Sequence, residues 1–235
     1  MPLTQPSNRD KPMSVPLMCP RPERRDNLLP AMEALATTRR CRRGEEVYGR
    51  DDPVESWYRV VSGMARKSTL LSDGRRRIVD FLLPGDFFGF SVREERYFDV
   101  ETVIEGTILV SYPQRRIEAL ADSDPEVGRR VRQLAFNSLS RLQARILILG
   151  RTTALEKVRA FLVEMSERSR DGTSVIVVLP MSRYDIADYL ALSVETVSRA
   201  LTALRRRGSI TLADKHRLTI VARGALREGD GGGPD

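Results

Sequence analysis

Apolar residues in the first half of the chain fall in short alternating clusters separated by glycine. Between about residues 42 and 113 the main clusters are Trp57–Val61, Ile78–Leu82 and Thr107–Val110. Glycines that mark turns stand between them, at Gly63, Gly74, Gly85 and Gly89. Strands of this length punctuated by turn residues predict a small antiparallel β-barrel or sandwich. We assign this domain to residues 29–121.

The pattern becomes helical after residue 121. Asp122 or Ser123 can cap a helix, and Pro125 stands where a first-turn proline is tolerated. Apolar residues then recur with a 4-3-4-3 spacing, at Ala135, Leu139, Leu142, Ile146 and Leu149. A helix of about 25 residues, or about 38 Å, can pack this heptad-like seam on its own barrel or on a second copy. The length favours self-association, so we predict a dimerisation helix over residues 122–150. The other faces of this helix hold Arg129, Arg130, Arg132, Arg141 and Arg145.

The next segment carries the pattern of a helix-turn-helix. Residues 154–168 are predicted to form an amphipathic helix, and Ser174–Leu179 a short strand ended by Pro180. Ser182 and Asp185 then form a Ser-x-x-Asp cap. Two short helices follow within residues 183–207, with Leu192 in the tight connection between them and Gly208 as the C-cap. Their inner faces hold Ile186, Ala187, Leu190, Val197, Leu201 and Leu204, as a helix-turn-helix requires.

A hairpin completes the C-terminal domain, which we assign to residues 151–227. Ile210–Leu212 and Arg217–Ile220 are predicted strands joined by a polar turn, which is the wing of a winged helix. The fold class is therefore α+β, with a barrel, a long helix and a winged helix-turn-helix in that order. Residues 1–28, which contain six prolines, predict a flexible N-terminal arm, and residues 228–235 a disordered tail.

Charge favours a nucleic-acid partner. The chain carries a formal net charge of +7, and residues 151–227 hold 14 basic and 8 acidic side chains, a net +6. A basic C-terminal domain suits a polyanion, although a generally basic solvated surface is the plain alternative. Of the 39 basic residues 35 are arginine, which can reflect genome composition alone.

Cysteine and histidine are too scarce for several kinds of chemistry. Only Cys19, Cys41 and His216 are present, which excludes a four-ligand zinc site and a cysteine-ligated iron–sulfur cluster within one chain. A histidine-based catalytic triad is disfavoured, and we expect no enzymatic activity. The sequence holds no bilayer-spanning apolar run, and the N-terminus lacks the apolar region of a secretory signal, so we expect a cytoplasmic protein. Oxidation of Cys19 or Cys41 is a further, weaker hypothesis for how the activity of the protein is regulated.

Glu195 and Arg199 form the candidate base-reading pair. They are four residues apart at the start of the second helix and therefore project together. Glutamate can accept from the cytosine amine, and arginine can donate both forks to guanine. The alternative is a plain surface ion pair, which we disfavour because the pair lies on a recognition helix. Contacts to the DNA backbone are expected from Ser182, Ser193, Thr196, Lys215, His216 and Arg217.

These features resemble the CRP/FNR family of bacterial transcriptional regulators over about residues 30–222. The segment Glu195-Thr196-Val197-Ser198-Arg199 is the most specific part, and Val194 before it favours the FNR type and its FixK-like branch over the CRP type. The resemblance implies a dimeric activator that reads TTGA half-sites in inverted repeat through Val194, Glu195, Ser198 and Arg199. It also implies contact with RNA polymerase and a role in low-oxygen respiration or nitrogen fixation. Ala191 departs from the glycine usual in the family's turn.

The family's known sensors are absent or altered. Where cyclic-AMP binders have a glutamate after Phe-Gly, this chain has Phe90, and Arg96 is followed by Tyr97 in place of serine. The family's iron–sulfur sensors need four cysteines, and this chain has two. Its haem sensors need a histidine in the barrel, whereas His216 lies in the wing. We therefore expect no cofactor; the alternative is an unidentified small ligand in the altered barrel pocket. A third hypothesis makes the barrel a regulatory module for a partner enzyme. The run Arg75–Arg77 can bind an anion, but a solvated hairpin edge is favoured.

Overall fold

The computed structural model describes residues 29–168, 176–212 and 217–220. After a short helix, α1 (Pro30–Glu33), the alternating clusters form eight strands: β1 (Thr37–Cys41), β2 (Glu46–Tyr48), β3 (Ser56–Ser62), β4 (Ala65–Leu70), β5 (Arg76–Leu82), β6 (Phe87–Phe88), β7 (Asp99–Thr102) and β8 (Thr107–Pro113). The first strand begins earlier than the predicted start near residue 42. Only Cys41 of its residues is buried, so β1 has no apolar alternation by which the sequence could reveal it.

The strands form two antiparallel sheets of four, in the orders β1-β8-β3-β6 and β2-β7-β4-β5. The pattern allowed a barrel or a sandwich. Among the described residues no ladder joins the two sheets, so the domain is an open sandwich and not a closed barrel. Its inner core is apolar and partly aromatic, and consists of Cys41, Val47, Tyr48, Val60, Ala65, Leu82, Phe88, Val100 and Leu109.

One predicted turn glycine is required by its surroundings. Gly63, between β3 and β4, has a φ of +86°. A Cβ atom there would also lie 2.8 Å from the Thr107 Cα atom. An L-residue would be strained in backbone conformation and would collide with β8.

Two helices follow the sandwich where the sequence predicted one. Helix α2 (Gln114–Ser123) contains both Asp122 and Ser123, so the prediction that one of them caps the long helix is wrong. The cap is Asp124, whose carboxylate accepts from the backbone N–H of Glu126 at 2.8 Å. Pro125 is the first residue of α3 (Pro125–Leu149), as predicted, and it restricts Asp124 to the extended conformation that a cap adopts.

Helix α3 packs one face on the sandwich and leaves an apolar stripe exposed. Val127, Leu134, Ala144 and Ile148 are buried. On another face Leu139, Leu142 and Ile146 are exposed, with Ala135 also exposed and Leu149 half-buried. The predicted seam is therefore uncovered in the single chain, and exposed Phe136 and Leu147, which the spacing did not include, widen it.

The C-terminal elements match the predicted winged helix. They are α4 (Ala154–Arg168), β9 (Ile176–Val178), α5 (Arg183–Leu190), α6 (Val194–Arg206), β10 (Ile210–Leu212) and β11 (Arg217–Ile220), with sheet order β10-β11-β9. The arm at 1–28 with Cys19, the wing tip with Lys215 and His216, and the tail at 228–235 lie outside the described residues. Within the described ranges, no helix is both long and apolar enough to cross a membrane.

The winged helix packs directly on the β4–β5 hairpin through ion pairs. Asp185 on α5 is paired with Arg66 at 2.6 Å and with Arg76 at 2.7 Å. Arg76 also pairs with Asp188 at 2.8 Å, and Arg77 donates to the Asp188 carbonyl at 3.5 Å. The interpretation of the Arg75–Arg77 run as a solvated edge is therefore wrong for Arg76 and Arg77. It holds for exposed Arg75, which pairs with Asp73 in its own turn.

A buried ionic cluster continues this contact into the core. Arg168 at the end of α4 is almost fully buried and pairs with Asp86 at 2.6 Å and with Glu164 at 3.2 Å. Arg141 on α3 lies 3.4 Å from Asp86. The Tyr189 hydroxyl donates to Glu164 at 3.2 Å, which links α5 to the same cluster. The sandwich, the long helix and the winged helix thus share one set of mutually compensating charges.

Candidate nucleic-acid interface

Helix α5 begins at a complete capping box. The Ser182 hydroxyl accepts from the Asp185 N–H at 3.1 Å, and the Asp185 carboxylate accepts from the Ser182 N–H at 3.0 Å. The Ser182 hydroxyl also donates to Asp185 at 2.8 Å. Both donors of Ser182 are therefore committed inside the protein, and Ser182 has none left to offer a phosphate.

The turn between the helices contains a strained alanine. Ala191 has φ 57° and ψ 45°, in the left-handed region where glycine is favoured. The Leu192 N–H donates to the Ala187 carbonyl at 3.0 Å, which closes the turn. Leu192 itself packs partly buried against the core, as expected for the connection.

Helix α6 buries the predicted inner face and exposes the opposite one. Val197, Leu201 and Leu204 are buried against α5, on which Ile186, Ala187 and Leu190 are also buried. Ser193 caps the helix by accepting from the Thr196 N–H at 3.1 Å. The predicted C-cap glycine, Gly208, has a φ of +69° just past the helix end. The interior contacts thus fix which residues of α6 can reach a groove.

The candidate base-reading residues lie together on the outer face of α6. Glu195 and Arg199 are exposed, and Ser198 between them is half-buried. Val194 is half-buried and packs partly against the core. Hydrogen bonds from its own backbone N–H and from Ser193, and the nearby charge of Arg199, lower the pKa of Glu195, so its carboxylate is ionised at neutral pH. Within the part of the chain that the structure describes, no ion pair joins Glu195 to Arg199, which leaves both able to meet bases.

Sequence reasoning missed several residues of this surface. A concavity of about 520 Å³ is lined by Ser198, Arg199, Thr202, Ala203, Arg206 and Arg207. Thr202 and Arg206 are three and seven residues after Arg199, so helical periodicity alone could have found them. Arg183 at the start of α5 also belongs here, because it donates to the Ser198 hydroxyl at 3.2 Å. Of the predicted wing contacts, Lys215 and His216 lie outside the described residues, and only the backbone of Arg217 is described.

Arg96 and Phe90, at the positions where a ligand anchor was sought, are engaged in contacts within the protein. Arg96 is 5% exposed and donates to the carbonyls of Gly89 at 2.5 Å and Ser56 at 2.6 Å. Its guanidinium also lies 4.2 Å from the centre of the Tyr48 ring. Phe90 packs edge-on against Trp57 with ring centres 4.9 Å apart. The Arg96 guanidinium is therefore already used in hydrogen bonds and ring packing inside the sandwich.

The described residues that could take part in metal or redox chemistry are few. The described ranges contain no group of three or more His, Cys, Asp or Glu side chains arranged to hold a metal ion. Cys41 is buried in the core of the sandwich, and burial raises the pKa of its thiol. Thiolate character is what makes a cysteine reactive, so Cys41 is an ordinary core residue.

Two family models match the chain in the order of its domains. Residues 38–124 match the cyclic nucleotide-binding domain, and residues 156–228 match the Crp-like helix-turn-helix domain. Together they span both the sandwich and the winged helix.

Individual relatives agree with this assignment. The nitrogen fixation regulation protein FixK of Azorhizobium caulinodans is 43% identical over 202 residues, which cover 84% of this chain and 80% of the relative. FixK of Rhizobium meliloti is 40% identical, with coverage of 78% and 82%. The solved structure of FixK2 from Bradyrhizobium japonicum superposes with a TM-score of 0.75 at 39% identity, and covers 81% of this chain and 95% of that one. The chain belongs to the CRP/FNR family and is a FixK/FNR-type transcriptional regulator with a helix-turn-helix DNA-binding domain.

Proposed function

We propose that two copies of this chain bind an inverted repeat of TTGA-type half-sites and activate transcription without a bound cofactor. The observation that carries the proposal is the common outer face of Glu195, Ser198 and Arg199 on α6. Ionised glutamate accepts from cytosine N4, and arginine donates to guanine O6 and N7. On complementary strands these two contacts read neighbouring base pairs of one half-site.

The apolar stripe of α3 supports a dimer. Leu139, Leu142 and Ile146 follow the spacing of a coiled-coil seam and are exposed in the single chain. Two copies of a 25-residue helix packed along this seam would bury the stripe and present two recognition helices. Inverted half-sites then follow from the two-fold symmetry of the dimer.

The internal contacts of Arg96 support a cofactor-free mode of action. Arg96 donates to the Gly89 and Ser56 carbonyls. Phe90 stands where the cyclic-AMP binders of the family have a glutamate. Regulation of genes for nitrogen fixation is proposed from the relatives, two of which are named as nitrogen fixation regulation proteins. Activation by contact with RNA polymerase is proposed from the family resemblance. In this interface we assign the phosphate contacts to Thr196 and the wing, because the Ser182 and Ser193 hydroxyls both serve as helix caps.

One binding experiment separates the possibilities. Purified protein is titrated, at fixed salt, onto a duplex with two TTGA half-sites in inverted repeat, whose centres lie about 34–36 Å apart. A duplex with the half-sites scrambled is the matched control. We expect tight, sequence-selective binding without any additive. Binding that requires a cell-extract metabolite would favour a ligand in the sandwich instead, and equal binding to the scrambled duplex would contradict DNA reading altogether.

A further inference from the structure

A hydrogen bond crosses between the two helices of the helix-turn-helix on its outer surface. Nη1 of Arg183, the first residue of α5, donates to Oγ of Ser198 on α6 at 3.2 Å. Arg183 is exposed, whereas Ser198 is half-buried between the exposed Glu195 and Arg199. Arg183 therefore touches the base-reading face although it stands 15 residues before Ser198 in the chain.

The arrangement decides which role the Ser198 hydroxyl can play. A serine hydroxyl has one hydrogen and two lone pairs, whereas a guanidinium can only donate. The bond from Arg183 therefore uses a lone pair of Ser198 and leaves the hydrogen unspent. Among the described residues no acceptor takes that hydrogen, in contrast to Thr202, whose hydroxyl donates back to the Ser198 carbonyl at 2.9 Å. Back-bonding of this kind is the usual fate of a hydroxyl within a helix.

The positive charge of Arg183 strengthens the same bias. A cation that donates to a hydroxyl oxygen polarises it, which makes the oxygen a poorer acceptor and its hydrogen a better donor. Serine alone can meet either a donor or an acceptor on a base edge. With Arg183 in place, Ser198 is presented to the groove as a donor.

We propose that Arg183 is a positioning residue that makes Ser198 a hydrogen-bond donor in the major groove and so adds to sequence selectivity. Ser198 then selects a base edge with an acceptor, such as thymine O4, and rejects an exocyclic amine such as adenine N6. The inference rests on the proposed reading of DNA by α6. It assigns a selectivity role to a residue outside the recognition helix.

A phosphate contact is the competing role for an exposed arginine at this place. Such a contact would stabilise the complex with any sequence and contribute about one unit to the salt slope. A positioning role would instead change the preference at the base pair that Ser198 reads. The two roles therefore differ in a quantity other than affinity.

The test is a double-mutant cycle read out on base preference. The variants are Arg183→Met, Ser198→Ala and the two combined, with Arg206→Met as the matched control for loss of a cation from the same surface. Dissociation constants are measured at fixed salt for the TTGA-type duplex and for duplexes substituted at each half-site position. Thermal unfolding of each variant checks that the fold is retained.

We expect Arg183→Met to reduce discrimination at one base pair by about fivefold, the effect of one lost hydrogen bond. Ser198→Ala should lose the same discrimination, and the combined variant should lose no more than either alone. Arg206→Met should weaken all duplexes equally. Uniform weakening by Arg183→Met, or additive losses in the combined variant, would overturn the positioning role while leaving the proposed function intact. An unmutated protein without any preference for TTGA would overturn both.

Discussion

The Arg66 guanidinium lies 2.6 Å from the Asp185 carboxylate, although the two residues are 119 positions apart in the chain. Asp185 is also the capping-box residue of α5, and its side chain is only 4% exposed. One carboxylate thus starts the first helix of the DNA-binding unit and fastens it to the sandwich. This ion pair is therefore one of the contacts that hold the helix-turn-helix on the sandwich, beside the apolar cluster that the two share.

Arg66→Met tests this contact. Asp185 keeps Arg76 but loses a short charge-assisted bond, so we expect the free energy of unfolding to fall by about 1–3 kcal/mol. DNA affinity should fall by the same factor for every sequence, because no base contact is changed. Urea unfolding and titration of two different operators measure both effects. Arg75→Met is the control, since exposed Arg75 pairs only within its own turn, and equal behaviour of the two variants would contradict the role given to Arg66.

Arg199 and Arg206 share one face of α6 and should nevertheless differ in what they contribute. Arg199→Ala should cost about 1–3 kcal/mol of binding and relax the preference at one guanine, because a bidentate base contact is lost. Arg206→Ala should weaken binding to all sequences alike and lower the salt slope by about one unit. Selection from random DNA at two salt concentrations measures both. If the two changes altered base preference equally, the division between base reading and phosphate contact would be wrong.

Asp86 gives the buried ionic cluster a defined dependence on pH. Burial raises the pKa of this carboxyl, but the charges of Arg141 and Arg168 and the Leu83 N–H outweigh it, so the folded-state pKa lies below the ordinary 3.8. A carboxyl with a depressed pKa contributes stability above its unfolded-state pKa and loses it as the pH falls through the folded-state value. The contribution of Asp86 is therefore complete at neutral pH.

Asp86→Asn should lower the free energy of unfolding by about 3–5 kcal/mol at pH 7, because buried Arg141 and Arg168 lose a compensating charge. The difference from the unmutated protein should hold down to about pH 5 and shrink below about pH 4, where the carboxyl becomes protonated in the unfolded chain. It should vanish only once the pH has fallen below the lowered pKa of Asp86 in the folded protein. Urea unfolding at several pH values follows it. Exposed Asp73→Asn is the control. A difference that grows with acidity would reverse the assigned direction of the pKa shift.

Local periodicity accounts for what the sequence revealed of the fold. Alternation located most of the sandwich strands, and helical spacing located α3 and the helix-turn-helix. It missed β1, whose residues are mostly exposed, and α2, which buries only Ile117. The cap of α3 was misplaced by one or two residues because Asp122, Ser123 and Asp124 are all competent caps. Only the extended conformation imposed before Pro125 distinguishes Asp124.

Contacts between distant elements are what the sequence could not reveal. The outer face of Glu195, Ser198 and Arg199 follows from the inner apolar positions of α6, since a helix has fixed geometry. The ion pair between Arg76 and Asp185 could not be predicted, because the two residues lie 109 positions apart and Asp185 already had a local role in the helix cap. Periodicity marks faces within one element and carries no information on what meets them.

Ala191→Gly should stabilise the protein. Ala191 adopts a left-handed conformation, which costs an L-residue with a Cβ atom about 1 kcal/mol relative to glycine. Because the side chain is exposed, its removal sacrifices little packing. We expect the free energy of unfolding to rise by about 1 kcal/mol, measured by urea titration, with base preference unchanged. Ala203→Gly, in the interior of α6, is the opposite control and should destabilise; a loss of stability in Ala191→Gly would show that the turn is not strained.

The apolar stripe of α3 provides the test of self-association. Ile146 is 67% exposed and is the fourth of the five residues of the predicted seam, where a partner helix would cover it. Ile146→Glu would place two carboxylates inside that seam, so we expect a monomer that keeps its fold and loses tight binding to the inverted repeat.

Gln133→Glu is the control, because it introduces the same charge on the same helix outside the stripe. The variant should remain dimeric. It should also keep its fold, since Glu can still accept from Arg130 as Gln133 does. Sedimentation equilibrium gives the mass of each variant, and circular dichroism checks the fold. The Ile146→Glu protein and the unmutated protein should bind a duplex with a single half-site with the same dissociation constant at the same salt concentration, because the recognition helix is unchanged. A dimer formed equally well by Ile146→Glu would mean that the exposed stripe is not the surface through which two copies associate.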